Sequence, residues 1–168
     1  MAYPQGGDTY SLLLATHSGI VELLSQKFPD TLIIPTFGNN DSEYHDNPIP
    51  HDDEFFFYDY IFNLWFRLLP ENARQMTEAQ KDSIFATFIE GGYYRVDLTD
   101  ELSVLSLNTL YYDSERSSEL DSGRRGLEQM NWLRDQLSED SKRKFILTSH
   151  VYAGTRYESF LMWNSLPN

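Results

Sequence analysis

Apolar and polar positions along this chain fall into segments whose period changes from helical to strand-like several times. Between residues 8 and 28, Leu13, Ile20, Leu24 and Phe28 share one helical stripe, with His17 on the same face. Asp8 or Thr9 is placed to cap that helix, and Pro29-Asp30 stops it. Thr31 to Pro35 then has the short, continuous apolar character of a buried strand, and Gly38 opens a polar, acidic loop from Asn39 to Glu54. Phe55 to Leu69 is apolar nearly all round, which predicts a buried helix ended by Pro70.

The second half is punctuated more clearly. Thr77-Glu78-Ala79-Gln80 has capping-box spacing, so a helix to about Glu90 is expected, closed by Gly91-Gly92. Tyr93 to Leu98 and Leu102 to Leu107 are β-rich runs joined by Thr99-Asp100-Glu101, a hairpin signal. A serine-rich loop precedes a helix from about Gly126 to Leu137, with Leu127, Met130, Leu133 or Arg134, and Leu137 as its core stripe. Lys144 to Thr148 is a strand running straight into Ser149-His150. Strands mixed with helices indicate an α/β or α+β fold in which helices cover a sheet.

Composition narrows the function classes. The 168 residues suit one domain with a real core, since 40% are hydrophobic and 15% aromatic. Asp59, Asn63 and Arg67 interrupt the most apolar stretch, so no segment reads as a membrane span. The N-terminus has no basic flank followed by an apolar run and does not read as a signal peptide, which leaves the compartment open. Zero cysteines exclude disulfides, thiolate metal sites and a cysteine nucleophile. With 13 basic against 26 acidic residues the formal charge is −13, which argues against nucleic acid. An anionic substrate would need metal ions or local arginines to reverse that field.

Three strand ends deliver conspicuous polar residues: Asn39-Asn40-Asp41, Asn108-Thr109 and Ser149-His150. Ligands of open α/β sheets gather outside the carboxyl ends of strands, so Asn39, Asn108 and His150 could share one sheet edge. The plainer alternative is that strand-end Asn and Ser make turns. His17 on an apolar helix face reads as a packed, hydrogen-bonded histidine. The carboxylates between Asp41 and Glu54, with His45 and His51, read as a solvated loop or, alternatively, as an acidic Ca²⁺-binding module, although EF-hand order is missing. Arg95, Arg116 and Arg156 are surface residues or anion contacts, and Tyr93, Tyr94, Tyr111 and Tyr112 are packing residues of which one or two line a cleft.

Five motifs in order, Ile34 to Asp41, Gly91-Gly92-Tyr93-Tyr94, Leu105 to Thr109, Gln129 to Leu133 and Ile146 to His150, give the chain a family resemblance. It resembles the calcineurin-like metallophosphoesterases, in the branch of acid sphingomyelinase-like phosphodiesterases and fungal endopolyphosphatases. The resemblance implies a β-sandwich flanked by helices, with two divalent metal ions (Zn, Mn or Fe) at the strand ends. These ions bind phosphate oxygens and activate a hydroxide for in-line attack on a phosphodiester or polyphosphate. It makes Asn39 and His150 metal ligands. Asn40 stands where the wider family has a histidine that assists the leaving group, and an amide is no general acid. His45 could reach back to supply the proton, and Asn108 and Tyr111 would meet substrate.

Other family signatures are not found. The Asp-x-His motif is absent, Gly7-Asp8 matches the Gly-Asp motif only in part, and the Gly-His-x-His pair would lie past Asn168. The expectation is one incomplete phosphoesterase domain with doubtful metal occupancy and little or no hydrolysis of its own, open to self-association through exposed sheet edges. A non-catalytic interaction domain on the same scaffold is the alternative. Relatives of this kind are often secreted, lysosomal or vacuolar.

Overall fold

The structure, a computed structural model, describes residues 7–42, 44, 49, 51–112, 120–139 and 142–151. Along it run helices α1 (Gly7–Lys27) and α2 (His51–Phe62), a π-helical stretch Asn63–Leu68, and helices α3 (Pro70–Gln75) and α4 (Glu78–Gly91). Strands β1 (Tyr94–Thr99) and β2 (Leu102–Leu107), a 3-10 turn Thr109–Tyr112, helix α5 (Leu120–Glu139) and strand β3 (Lys144–Ser149) follow. The fold is α+β, with a mixed sheet in the order β1-β2-β3. β1 and β2 form the expected antiparallel hairpin, and β3 joins β2 in parallel. Among the described residues no helix is long and apolar enough to cross a membrane.

Local signals explain the best-defined element. The Thr77 hydroxyl accepts from the Gln80 amide while the Gln80 side chain accepts from the Thr77 amide, so the capping box of α4 is complete. At its other end Gly92 takes a left-handed φ of 71°, and its amide closes the helix on the Phe88 carbonyl.

One face of the sheet packs on an aromatic core. Phe37, Phe57, Tyr58, Phe62, Phe66, Phe88 and Tyr94 are all buried within it. Their rings meet mostly edge-on or tilted, as in Phe37–Tyr58 at 5.3 Å and Phe66–Tyr94 at 5.2 Å between centroids. Such pairs add about 0.5–1.5 kcal/mol each beyond their buried area. Leu105 and Leu107 face the other way, onto Leu133, Met130 and Trp132 of α5. The helical layers stop short of β3: neighbours Ile146 and Leu147, on opposite faces, are each 47% exposed.

Four expectations need correction. First, Thr31 to Pro35 forms no strand. The segment is extended but lies outside the sheet, and the Asn72 carboxamide takes the place of a neighbouring strand. It accepts from the Ile33 amide at 2.9 Å and donates to the Ile33 carbonyl at 2.7 Å. Second, Pro70 ends one helix and also begins α3, at a position where its missing N–H costs nothing. The preceding turn is π-helical because the Leu69 amide bonds back to the Leu64 carbonyl at 3.1 Å. Asn72 Nδ2 serves the Trp65 carbonyl at 2.8 Å.

Third, the buried face of α1 is His17 and Val21, flanked by Leu13, Leu14 and Leu24, while Ile20 and Phe28 are exposed. Fourth, α5 begins at Leu120 and buries Arg125, Gln129 and Leu133, leaving Leu127 and Leu137 in solvent. Both helices turn on the same physics: a polar side chain with a specific internal partner outcompetes an aliphatic one for a buried position.

Candidate functional site

The sheet register builds the site. Tyr94, Ser106 and Thr148 are partners across the three strands and so lie in one row on one face. Each carries a hydroxyl, and together they fasten the crossing segment. The Tyr94 hydroxyl donates to the Pro35 carbonyl. Ser106 Oγ lies 3.1 Å from both that carbonyl and Thr36 Oγ1, and Thr36 donates to Thr148 Oγ1 at 3.0 Å. The segment is thereby carried over the carboxyl ends of β2 and β3, and the chain turns there.

The turn spans Gly38 to Asp41. The Asp41 amide donates to the Gly38 carbonyl at 3.2 Å, and the Asp41 carboxylate accepts from the Gly38 amide at 2.6 Å. Glycine at 38 allows a close approach, since a Cβ there would crowd the His150 ring at 3.0 Å from Nδ1. The turn holds Asn39 Oδ1 2.9 Å from His150 Nε2, and Asn40 Nδ2 donates to the same oxygen at 2.9 Å. The Val151 amide donates to Thr109 Oγ1 at 3.0 Å, which ties the end of β3 to the 3-10 turn.

The structure therefore brings Asn39, Asn40 and His150 together. Two donors on one ion with bonds of about 2.1 Å at right angles stand about 3.0 Å apart, so the Asn39–His150 pair fits adjacent ligand positions. The pair does not make a full centre: among the described residues no group of three or more His, Cys, Asp or Glu could hold a metal ion.

Asn108 and Tyr111 sit beneath this edge and do not present themselves to solvent, being 1% and 0% exposed. Asn108 Nδ2 donates to the Gly91 carbonyl at 3.0 Å, and its Oδ1 accepts from the Leu110 amide. Its backbone is bracketed by Gln129, which accepts from the Asn108 amide at 2.8 Å and donates to its carbonyl at 2.9 Å. Arg125 donates to the Tyr111 hydroxyl at 2.8 Å and to the Ile49 carbonyl at 2.9 Å. Gln129 and Arg125 are supports that pattern reading missed, although Gln129 lies within a quoted motif.

His45, Arg116 and Arg156 lie outside the described residues, as do Glu43 and Asp46 of the acidic loop, and the end of that expected loop, His51 to Glu54, is instead the start of α2. Arg95 points toward α5, bound to Asp97 at 2.6 Å and Glu139 at 2.7 Å. It lines a cavity of about 360 Å³ with Gln80, Ser83, Thr87 and Trp132, which includes neither Asn39 nor His150.

The tyrosines under the edge carry a pH signature. Burial pushes Tyr58 up to about 12, against smaller opposing hydrogen bonds from Tyr111 and Asn108. Burial likewise raises Tyr94, Tyr111 and Tyr112. The unfolded chain ionises first as pH rises past the ordinary 10.0, so the contribution of Tyr58 is complete below that pH and lost on the way to about 12, and that of the other three is lost over a range that reaches higher. The melting temperature should fall steeply over this interval, with tyrosinate absorbance rising together with unfolding. Gradual ionisation of a chain that stays folded would contradict this.

No protein-family model matches the sequence. Individual proteins do. An endopolyphosphatase of Neurospora crassa is 31% identical over 90% of this chain and 21% of its own length. A sphingomyelinase phosphodiesterase D of Dictyostelium discoideum is 23% identical over 83% of this chain and 29% of its own. An endopolyphosphatase of Schizosaccharomyces pombe is 29% identical over 66% of this chain and 17% of its own. The chain thus spans less than a third of the length of these curated relatives. Similarity over most of this chain to proteins of both names accords with its α+β fold. The chain is a homologue of endopolyphosphatases and sphingomyelinase phosphodiesterases of the metallophosphoesterase superfamily, at 23–31% identity over most of its length.

Proposed function

We propose that the Asn39–His150 edge is part of a metal-dependent phosphoric-ester hydrolase site acting on a phosphodiester or polyphosphate. The observation that carries this reading is the 2.9 Å approach of Asn39 Oδ1 to His150 Nε2, held by Gly38 and by the row of hydroxyls. His150 would give up its Nε2 proton to bind a divalent ion, Zn, Mn or Fe, and Asn39 would offer a neutral oxygen. When bound, such an ion supplies charge neutralisation at phosphate oxygens and a lowered pKa for coordinated water. That supply matters in a chain of charge −13, which by itself repels phosphate.

Asn40 is exposed beside the pair, and the carboxamide N–H it does not give to Asn39 would face the leaving or bridging oxygen. A carboxamide orients and stabilises charge but transfers no proton, so a separate acid is needed, and His45 is the candidate nearest in sequence. Asn108 and Tyr111 act here as the floor of the site, beneath the substrate. With two ligands in place of the three or four that hold a catalytic ion, this domain portion alone is expected to bind metal weakly and to turn over little substrate.

The test is a Mn²⁺ titration of the chain, followed by broadening of the His150 ring signals in NMR. Binding should centre on His150, and Asn39→Ala should weaken it by about tenfold or more. Binding elsewhere, or none, would remove the metal-site reading. In parallel, bis-p-nitrophenyl phosphate and polyphosphate assays with Mn²⁺ or Zn²⁺ should give little turnover. Robust hydrolysis abolished by Asn39→Ala would instead show that the site is complete in this chain.

A further inference from the structure

His17 is the buried polar side chain that neither the core nor the metal pair explains. It lies on α1, is 6% exposed, and meets the Phe57 ring edge-on at 6.3 Å between centroids. Its Nε2 is 2.9 Å from the Asp41 carbonyl oxygen. A carbonyl only accepts, so Nε2 carries the hydrogen and the neutral ring leaves a bare lone pair on Nδ1. That Nδ1 is buried with no hydrogen-bond partner.

An aliphatic or phenyl side chain would fill this space beside Phe57 without burying an unpaired nitrogen. What the imidazole adds is the single bond to Asp41. Asp41 closes the site turn twice, through its amide on the Gly38 carbonyl and its carboxylate on the Gly38 amide. Those contacts close the turn on itself; its near end is held by the hydroxyl row and by Phe37 in the aromatic core, whereas its far end, at Asp41, meets α1 through His17. The His17 bond is the described side-chain link between the turn and α1, 24 residues earlier in the chain.

We propose that His17 is a positioning residue: its Nε2–H pins the Asp41 carbonyl and so holds the turn where Asn39 Oδ1 meets His150. Its functional meaning rests on the role proposed above for the Asn39–His150 pair, but the tether itself requires no metal. Glutamine at 17 presents an N–H at about the reach of Nε2, whereas leucine and phenylalanine keep the packing and lose the donor.

The experiment reads the His150 ring nitrogens by NMR in the metal-free chain, for wild type, His17→Gln, His17→Leu and His17→Phe. In the wild type, Asn39 Oδ1 should hold His150 as its Nε2–H tautomer. The Leu and Phe variants should move His150 toward the tautomer mixture of a free imidazole, and the Gln variant should restore the wild-type signal. Mn²⁺ affinity at His150 should follow the same order, falling about tenfold for Leu and Phe. Wild-type His150 signals in the folded Leu or Phe variant would overturn the proposal. So would a folded Gln variant in which His150 is released, and this arm decides alone should the apolar variants fail to fold. Because the tautomer is read without metal, a wild type that binds no Mn²⁺ would count against the metal site and leave the tether result standing.

Discussion

Replacing Asn72 by leucine is expected to remove a large share of the chain's folding free energy, although the two side chains are close in volume. Asn72 is fully buried and its carboxamide makes three bonds, to the Ile33 amide, the Ile33 carbonyl and the Trp65 carbonyl. Leucine satisfies none of them, and each backbone group left dry costs about 1–3 kcal/mol. A loss of roughly 3–9 kcal/mol follows if the costs add, against about 5–15 kcal/mol for a whole domain. Urea unfolding monitored by circular dichroism measures it. Asn72→Asp keeps an acceptor for the Ile33 amide and should be less damaging at a pH where the carboxyl is protonated. A loss below about 1 kcal/mol for leucine would mean that the Ile33 segment finds other partners.

The second large effect is expected at Gly92. Its φ of 71° disfavours any side chain, and a Cβ there would stand 2.6 Å from Phe37 Cδ2 and 2.9 Å from Tyr58 Cε1. The left-handed conformation costs alanine about 1–2 kcal/mol. Forcing a methyl into a packed aromatic core costs about 1–3 kcal/mol more. Gly92→Ala should therefore destabilise by roughly 2–5 kcal/mol in the same unfolding measurement. Gly19→Ala is the control, because a Cβ there meets nothing within 4 Å and lies mid-helix in α1. It should be neutral or stabilising by up to about 1 kcal/mol. Equal effects at the two glycines would refute the steric argument. Phe37 precedes Gly38, so the Gly92 variant should also disturb the turn that carries Asn39.

What was legible in the sequence is what is decided locally. The Thr77–Gln80 box, the closure by Gly91-Gly92 and the 94–107 hairpin each depend on residues within a few positions of one another. The segment at 31–35 departs from the strand its pattern predicts because an apolar run specifies burial without specifying the partner, and the partner here is a polar side chain on α3. The faces of α1 and α5 depart from their apolar stripes for a related reason. Counting apolar positions assigns Leu127 and Leu137 to the core, yet Gln129 and Arg125 go inside because Asn108, Tyr111 and Ile49 supply their partners.

At the site, strand-end position and motif order marked Asn39 and His150, and the structure brings them together. The burial of Asn108 and Tyr111 could not be read that way, because a strand-end Asn looks the same whether it faces solvent or a glutamine one helix away. The bond from His17 to Asp41 was equally invisible, since it joins residues whose separation has no periodic signature.

The Pro35 region has one more consequence. Among the described residues, the hydrogen bonds that fasten 33–36 all run to side chains: Asn72, Tyr94, Ser106 and Thr148. None is a rung of the β-ladder. This stretch can therefore lift away as a local opening while the sheet stays intact, at a free energy below that of global unfolding. Asn39 lies three residues beyond that stretch and His150 at the end of the sheet, so excursions of the stretch that carry Asn39 along would pull the pair apart. Amide exchange at Ile33 would report how often the site edge comes undone in a molecule that is otherwise folded.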